Sequence, residues 1–390
     1  MKRPIYLDYH ATTPVDPRVL ERMIPYFTEH FGNAASMSHS YGRYADAAVQ
    51  VAREHVAELI DAEPAEIIFT SGATEANNLA ILGVAQSYAH RGKHFITAET
   101  EHSSVLACFK ELETHGFHVT YLPVNQEGQV SLGDLENTIT KDTVMVSLMA
   151  VNNEIGTIAP LHEIAKICES HHVLFHTDAV QALGKIAISA KTTPFVLLSG
   201  TSHKMYGPKG IGFLYIRQKQ PPIALTPQVL GGGHEKGLRA GTLNVPAIVG
   251  VGEAARLARL EQAAESKRMA ILRDHLQTQI LSAFPKHAVV NGPLDQRVCG
   301  NLNVSFLSLK SSDIILGLQK DVAISSGSAC VSGNPKPSHV LESLHVGENR
   351  TQGAVRFSLG RFTTLEDVDY AALKLQEIVH DLLTKTGLFA

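Results

Sequence analysis

The sequence has 390 residues, of which 44% are hydrophobic and 18% are charged, and its formal net charge is −4 at pH 7. A chain of this length can bury a large core in two domains, and its composition is ordinary for a globular enzyme. The interspersed charges give no electrostatic basis for binding nucleic acid or an anionic membrane, and no apolar run is long enough to span a bilayer.

The first residues read MKRPIYLDYHATTP, and polar residues follow the basic pair in place of an apolar stretch. We therefore expect no signal peptide. The four cysteines, Cys108, Cys168, Cys299 and Cys330, are scattered and form no C-x-x-C pair. This pattern suits a reducing compartment, so we expect a cytoplasmic protein.

Short apolar segments alternate with amphipathic segments between residues 65 and 216. The predicted strands are 66–70, 94–98, 119–123, 143–150, 173–177, 195–199 and 210–216. Strands that are apolar at nearly every position and separated by helices predict an α/β fold with a mostly parallel, seven-stranded sheet covered on both faces.

A long helical segment, 244–284, leads into a unit with a different, α+β alternation. We predict a large domain over residues 15–260. The smaller domain would combine residues 1–14 and 261–390 and carry the segment 325–339.

Polar residues follow the predicted strands, and ligands bind at the carboxyl ends of strands in such sheets. In FTSGATEANNLAI, the backbone amides of Gly72, Ala73 and Thr74 would open a helix and could bind an anion. An ordinary helix start capped by Thr74 or Ser71 explains the same residues, so both interpretations stay open.

Asp178 and Lys204 follow two later strands of the same sheet. Taken singly, an aspartate there is commonly a helix cap and a lysine is commonly solvated. On one sheet edge with an anion site, however, Asp178 could pair with a pyridinium nitrogen and Lys204 could form a Schiff base. This combination favours pyridoxal phosphate over NAD or ATP.

Twenty histidines raise the question of a metal site, and CESHHVLFH groups Cys168, His171, His172 and His176. Zinc sites usually draw on tighter pairs with a distant second pair. We interpret this segment as a polar turn between a helix and a strand, and we predict no metal.

Ten segments of the chain resemble the pyridoxal-phosphate cysteine desulfurases of the NifS/IscS type, within the class V aminotransferase family. The segments, in order from about residue 4 to about residue 370, are YLDYHATTP, FGN, FTSGATEANNLAI, EHSSV, VNNEIG, DAVQ, SHKMYGPKGIG, GGGHEKGLRAGT, SSGSAC and RFSLGRF. The resemblance implies the fold type I of pyridoxal-phosphate enzymes and a homodimer.

The resemblance also implies the residues that bind the cofactor. Lys204 would hold it as an internal aldimine, and Asp178 would pair with the ring nitrogen. His102 would stack on the ring and move protons. The phosphate would be held by Ala73, Thr74, Thr201 and His203, with Thr242 of the partner subunit, and the ring substituents by Asn153 and Gln181.

For the substrate, the resemblance implies that Arg356 takes the carboxylate of L-cysteine with help from Asn33. Cys330 would attack the substrate sulfur and become a persulfide as alanine leaves. The sulfur would pass to an acceptor, such as an iron–sulfur scaffold protein, for iron–sulfur cluster assembly or tRNA thiolation. No direct contact with nucleic acid or membrane is expected.

Cys330 lies among Ser, Gly and Pro residues, which suits an exposed thiol on a segment that can swing. We predict that residues 328–336 are mobile. Two alternatives remain: another pyridoxal-phosphate enzyme of this fold (an aminotransferase, or a selenocysteine or cysteine-sulfinate lyase), which would not need Cys330, and a non-catalytic scaffold.

The chain departs from the family pattern before Lys204, where an aromatic residue is usual and Gly200 stands here. We expect looser packing beneath the cofactor at this position.

Overall fold

A computed structural model describes residues 4–218, 220–326 and 338–387. Its strands, in chain order, are β1 (Ile5–Tyr6), β2 (Ile67–Thr70), β3 (His94–Ala98), β4 (His118–Leu122), β5 (Thr143–Ser147), β6 (Leu174–Asp178), β7 (Leu197–Thr201), β8 (Gly212–Ile216), β9 (Ala288–Asn291), β10 (Asn301–Phe306), β11 (Val322–Ala323) and β12 (Ala354–Ser358).

The helices are α1 (Pro17–Met23), α2 (Pro25–Thr28), α3 (Ser40–Leu59), α4 (Ala73–Tyr88), α5 (Ser103–Thr114), α6 (Leu132–Thr138), α7 (Leu161–Ser170), α8 (Val245–Ala283), α9 (Ser311–Leu318), α10 (His339–Ser343), α11 (Glu348–Gln352) and α12 (Leu365–Lys385). Within the described residues, no helix combines the length and the apolar character needed to cross a membrane.

The main sheet has seven strands in the order β2-β8-β7-β6-β5-β3-β4. Strands β3 to β7 run parallel to one another, whereas β8 is antiparallel to both β2 and β7. The predicted α/β class and the mostly parallel, seven-stranded sheet are confirmed.

Apolar cores cover both faces of this sheet. Neighbouring residues of β3 belong to different cores, because Phe95 packs with Val105 and Phe109 of α5, whereas Ile96 packs in the core that includes Val251 of α8. Residues of a strand alternate between faces, so a strand buried on both sides has an unbroken apolar sequence.

A second core forms around the antiparallel sheet β12-β10-β9 and around β1 paired with β11. Helix α8 is continuous through residue 260, and its buried side chains change from the first core at Met269 to the second core at Leu272. Leu7 also packs in the second core. The division of the chain into two domains near residue 260 remains a prediction.

Candidate active site

A cavity of about 520 Å³ lies at the carboxyl ends of the parallel strands. Most of its wall follows strands of the main sheet, as expected for this topology, and Ala11 and Thr12 come from the N-terminal segment after β1. It brings together most of the side chains predicted from the sequence, namely Ala73, Thr74, His102, Asn153, Asp178, Gln181, Thr201, His203 and Lys204.

One end of the cavity is formed by the N-terminus of α4. The N-cap residue is Gly72, and no side chain caps the helix. A helix capped by Thr74 or Ser71, the alternative left open by the sequence, is therefore not formed. Unoccupied N-terminal amides make this end a place where an anion would be stabilised.

Asp178 ends β6 and lies in the cavity wall with a buried carboxylate. One oxygen accepts a hydrogen bond from the backbone N–H of Val180 at 3.0 Å, and the other accepts one from Asn77 Nδ2 at 2.9 Å. These two donors fix the plane of the carboxylate at the base of the cavity.

Lys204 ends a 3₁₀ turn, Ser202–Lys204, that follows β7 directly. The turn is held by Thr13, whose backbone N–H and side-chain hydroxyl both donate to the carbonyl of His203, at 2.9 and 3.0 Å. Burial, and after it the charges of Lys204, Lys209 and Lys185, lower the pKa of His203 to about 4. His203 is therefore a neutral hydrogen-bonding group at pH 7.

His102 is the N-cap of α5, and its Nδ1 accepts the backbone N–H of Ser104 at 3.2 Å. Burial lowers the pKa of His102; Asp178 opposes this effect, and Lys204 and His339 add to it. The ring is therefore neutral in the resting protein.

Arg356, on β12, is 2% exposed and does not line the cavity itself. Its guanidinium donates to Asp8 at 2.8 Å and to the carbonyl of Asn153 at 3.0 Å. Asn153 lines the cavity, so Arg356 stands directly behind the wall.

Two predicted residues lie away from this wall within one subunit. Asn33 is exposed and its Oδ1 accepts the backbone N–H of Ala35, and Thr242 is exposed as well. Segment 230–243, which carries Thr242, is braced by Glu235, which forms a buried ion pair with Arg53 at 2.7 Å.

Cys330 and the predicted mobile segment 328–336 lie outside the described residues. The residues on either side of them are anchored near the site. Ser325 exchanges two backbone hydrogen bonds with Arg356, and Ser338 Oγ donates to the buried Glu154 at 2.5 Å.

The sequence interpretation missed several residues of the wall, among them Thr12, Ser104 and Lys209, and also Asn77, which lies behind Asp178. All four stand within quoted segments, YLDYHATTP, EHSSV, SHKMYGPKGIG and FTSGATEANNLAI. Their place in the polar segments that adjoin the predicted strands is the signal that could have identified them.

The histidine-rich segment CESHHVLFH contributes a buried histidine with structural hydrogen bonds. His176 is buried in β6 between Ser147 Oγ at 2.8 Å and Ser199 Oγ at 3.0 Å. In the described part of the chain, no three His, Cys, Asp or Glu side chains are grouped so that they could hold a metal ion.

The chain is similar to known proteins over nearly its whole length. The model of the family Aminotransferase class-V matches residues 5–371. The chain is 50% identical over 389 residues to Cysteine desulfurase IscS of Anaeromyxobacter sp. (strain Fw109-5), which covers 100% of this chain and 96% of that protein.

Solved structures match as closely in fold. "NIFS-LIKE PROTEIN" aligns with a TM-score of 0.91 and 38% identity, over 97% of this chain and 100% of that chain. "SspA in complex with cysteine" aligns with a TM-score of 0.81 and 36% identity, over 92% of this chain and 100% of that chain.

The chain belongs to the aminotransferase class-V family. It is an enzyme, and within that family it groups with the cysteine desulfurases of the NifS/IscS type, as the sequence predicted.

Proposed function

We propose that this enzyme binds pyridoxal 5′-phosphate in the cavity and takes sulfur from L-cysteine, leaving L-alanine and a persulfide on Cys330. The observation that carries the proposal is the meeting of three groups in one cavity: the uncapped N-terminus of α4, the fixed carboxylate of Asp178, and Lys204. Each group matches a different part of that cofactor.

The phosphate would bind at the N-terminus of α4. The free amides of Ala73 and Thr74 are donors there, and neutral His203 and the hydroxyl of Thr201 line the same cavity. Lys209, also in the wall, adds positive charge. A phosphate dianion is the ligand that such a donor set stabilises.

The ring nitrogen would face Asp178. A carboxylate held by two donors stays in one orientation and keeps an opposing pyridinium protonated. When bound, the cofactor supplies an electron sink for the bonds broken at the substrate α-carbon. Gln181 and Asn153 would contact the ring substituents, and Lys204 would bind the cofactor covalently through Nζ.

The substrate carboxylate would be taken by Arg356, with Asn33 assisting. Arg356 already holds one carboxylate, that of Asp8, and a planar guanidinium is the side chain that pairs best with a carboxylate. Asn153 lies between Arg356 and the cavity and would set the path by which the carboxylate approaches.

The transfer of sulfur from the substrate to Cys330 requires no external oxidant or reductant. The thiolate of Cys330 attacks Sγ of the substrate, an S–S bond forms, and the C–S bond of the substrate breaks. The electron pair stays with the substrate carbon, which takes up a proton and leaves as alanine. An acceptor such as an iron–sulfur scaffold protein would then receive the sulfur.

A homodimer is part of this proposal. Thr242 of the partner subunit would complete the phosphate site, because Thr242 is exposed and lies outside the cavity of its own subunit. Large apolar side chains are also exposed in the segments that carry Thr242 and Asn33, among them Leu230 at 84% and Phe31 at 65%. Such surfaces commonly mark subunit interfaces. We also propose a cytoplasmic location, with no direct contact to nucleic acid or membrane.

The test compares Cys330→Ala with Cys168→Ala, which removes a buried thiol elsewhere. We expect Cys330→Ala to lose cysteine-dependent alanine release and the mass increase of one sulfur atom, and to keep the visible absorbance of the bound cofactor. Cys168→Ala should keep all three. Undiminished alanine release in Cys330→Ala would overturn the desulfurase in favour of another enzyme of this fold, and well-folded protein without visible absorbance would overturn the cofactor.

A further inference from the structure

A chain of hydrogen bonds joins Asp178 to His102 through two side chains that have no assigned role. Asn77 is fully buried in α4, and its Nδ2 lies 2.9 Å from Asp178 Oδ2 and 2.9 Å from Ser104 Oγ. A carboxylate can only accept, so the amide nitrogen must face it. Both protons of the amide are therefore donated, one to Asp178 and one to Ser104.

The next link fixes the direction of the remaining bonds. Ser104 Oγ accepts from Asn77 and lies 2.8 Å from Nδ1 of His102. Because the backbone N–H of Ser104 also donates to Nδ1, that nitrogen is an acceptor, and the hydroxyl proton of Ser104 is directed to it. The backbone N–H of Ser104 donates to the same Nδ1 at 3.2 Å.

Two donors directed at Nδ1 require an unprotonated nitrogen there. A neutral imidazole carries one proton, so the proton must reside on Nε2. The titratable groups acting on His102 are Asp178, Lys204 and His339, and burial is the largest cause of its lowered pKa.

We propose that Asn77 and Ser104 are positioning residues that join Asp178 to His102 and hold the imidazole as its Nε2–H tautomer. His102 then begins the reaction as a proton donor, and Lys204 is the group that accepts the α-proton. This assignment of roles rests on the proposed function, whereas the tautomer is a property of the protein itself.

An unsatisfied atom supports the role of Asn77. Its Oδ1 is buried and has no hydrogen-bond partner among the described residues. Burying an unpaired amide oxygen costs stability, and such costs concentrate where a polar side chain serves a site. An apolar residue in α4 would fill the same space without that cost, yet it could not orient Asp178 or Ser104.

The first test measures the tautomer in full-length protein labelled with ¹⁵N-histidine, as purified and after removal of any cofactor. His102→Gln identifies the His102 signals by their loss. We expect Nδ1 to have the shift of an unprotonated nitrogen and Nε2 that of a protonated one. Ser104→Ala should move both shifts towards a mixture of tautomers, whereas Ser103→Ala, at the exposed neighbouring position, should move neither.

Either of two results overturns the proposal. Mixed tautomers in the His102 signals of the wild-type protein would show that the imidazole is not held as its Nε2–H form. Unchanged shifts in Ser104→Ala would show that the backbone N–H alone sets the tautomer. Because these spectra need no turnover, they decide the inference even if the wild type releases no alanine and the proposed function fails.

The second test separates positioning from folding. Ser104→Ala should lower kcat for alanine release about 3- to 10-fold with little change in KM, the effect of one lost hydrogen bond. When Ser104→Ala is added to His102→Gln, kcat should not fall further. An equal fall in kcat in both backgrounds would show that Ser104 does not act through His102.

A third measurement isolates Asn77. Asn77→Ala should shift the pH titration of the visible cofactor band, because Asp178 loses a donor, while Asn78→Ala should leave the titration unchanged. An unmoved band in well-folded Asn77→Ala protein would overturn its link to Asp178.

Discussion

At the scale of single residues, Lys185 brings a second amine close to Lys204. The amine lies inside the protein, while part of the residue reaches solvent, and its Nζ donates to Gln181 Oε1 at 3.1 Å. Burial first, and then the charge of Lys204, lower the pKa of Lys185 from 10.5 to about 7. Gln181 lines the cavity, so an amine with a lowered pKa holds its side-chain oxygen.

The lowered pKa predicts how stability depends on pH. Between the folded value of about 7 and the unfolded value of 10.5, the unfolded chain binds a proton that the folded chain lacks. The free energy of unfolding therefore rises with pH in that interval.

We expect Lys185→Met to raise the free energy of unfolding by about 1 to 3 kcal/mol near pH 7 and to flatten its rise with pH. Urea unfolding at several values between about pH 7 and pH 9 would measure this, with the exposed Lys191→Met as control. Parallel curves for Lys185→Met and the wild type would contradict the low pKa.

At the scale of elements, the packing between β7 and β8 explains the departure from the family pattern at Gly200. Gly200 is paired with Phe213 in the antiparallel register, and a Cβ at Gly200 would lie 2.4 Å from the Phe213 ring. The ring of Phe213 therefore fills the space above Gly200. The expectation of looser packing at this position is wrong, because a residue on the neighbouring strand supplies the bulk.

Because the Phe213 ring fills the space above Gly200, substitutions at the two positions should have strongly coupled effects on the free energy of unfolding. Gly200→Phe alone should overpack the core, and Phe213→Ala alone should leave a cavity that costs about 3 to 5 kcal/mol. The double variant should be more stable than the sum of the two losses predicts by at least about 2 kcal/mol.

Chemical denaturation of the two single variants and the double variant measures the coupling energy. Gly200→Phe combined with Phe306→Ala, which removes a buried ring from the second core, is the matched control and should be additive. A coupling energy near zero for Gly200 and Phe213 would contradict the conclusion that the Phe213 ring replaces a side chain at position 200.

At the scale of the whole molecule, the proposed dimer predicts that one active site is built from two subunits. Lys204→Ala and Thr242→Asp should each impair activity, the first at the reacting group and the second by repelling the phosphate. In a hybrid dimer both changes fall on the same site, which leaves the other site intact.

Co-expression of the two variants with different tags gives a mixture in which half of the dimers are hybrids. We expect about a quarter of wild-type alanine release from such a random mixture, and about half from purified hybrids. Activity no higher than the mean of the two parents would show that Thr242 acts within its own subunit or has no role.

Much of the site could be predicted because its residues immediately follow apolar strands. The run ending at Asp178 is buried at every position of β6, and the wall residues Thr201 and Lys204 follow from the same pattern at β7. Parallel strands point their carboxyl ends to one edge, so residues far apart in sequence were expected together.

Other contacts join residues that are far apart in the sequence, and no local sequence pattern predicts them. Asn77 and Asp178 are 101 residues apart, and their contact requires α4 to pack over β6 with its buried face turned to the sheet edge. The bulk that replaces an aromatic residue at Gly200 comes from a strand whose pairing is antiparallel, a reversal that the apolar run of β8 does not encode.

The sequence by itself determined the fold class, the family and the residue types that carry the chemistry, because buried strands and the motifs after them are local in the chain. Only the tertiary structure decided the strand order, the exposure of Thr242 and Asn33 outside the cavity, and the bonds from Asp178 through Asn77 and Ser104 to His102. Hydrogen-bond direction is set by which donors and acceptors meet in space, and that depends on how whole elements pack.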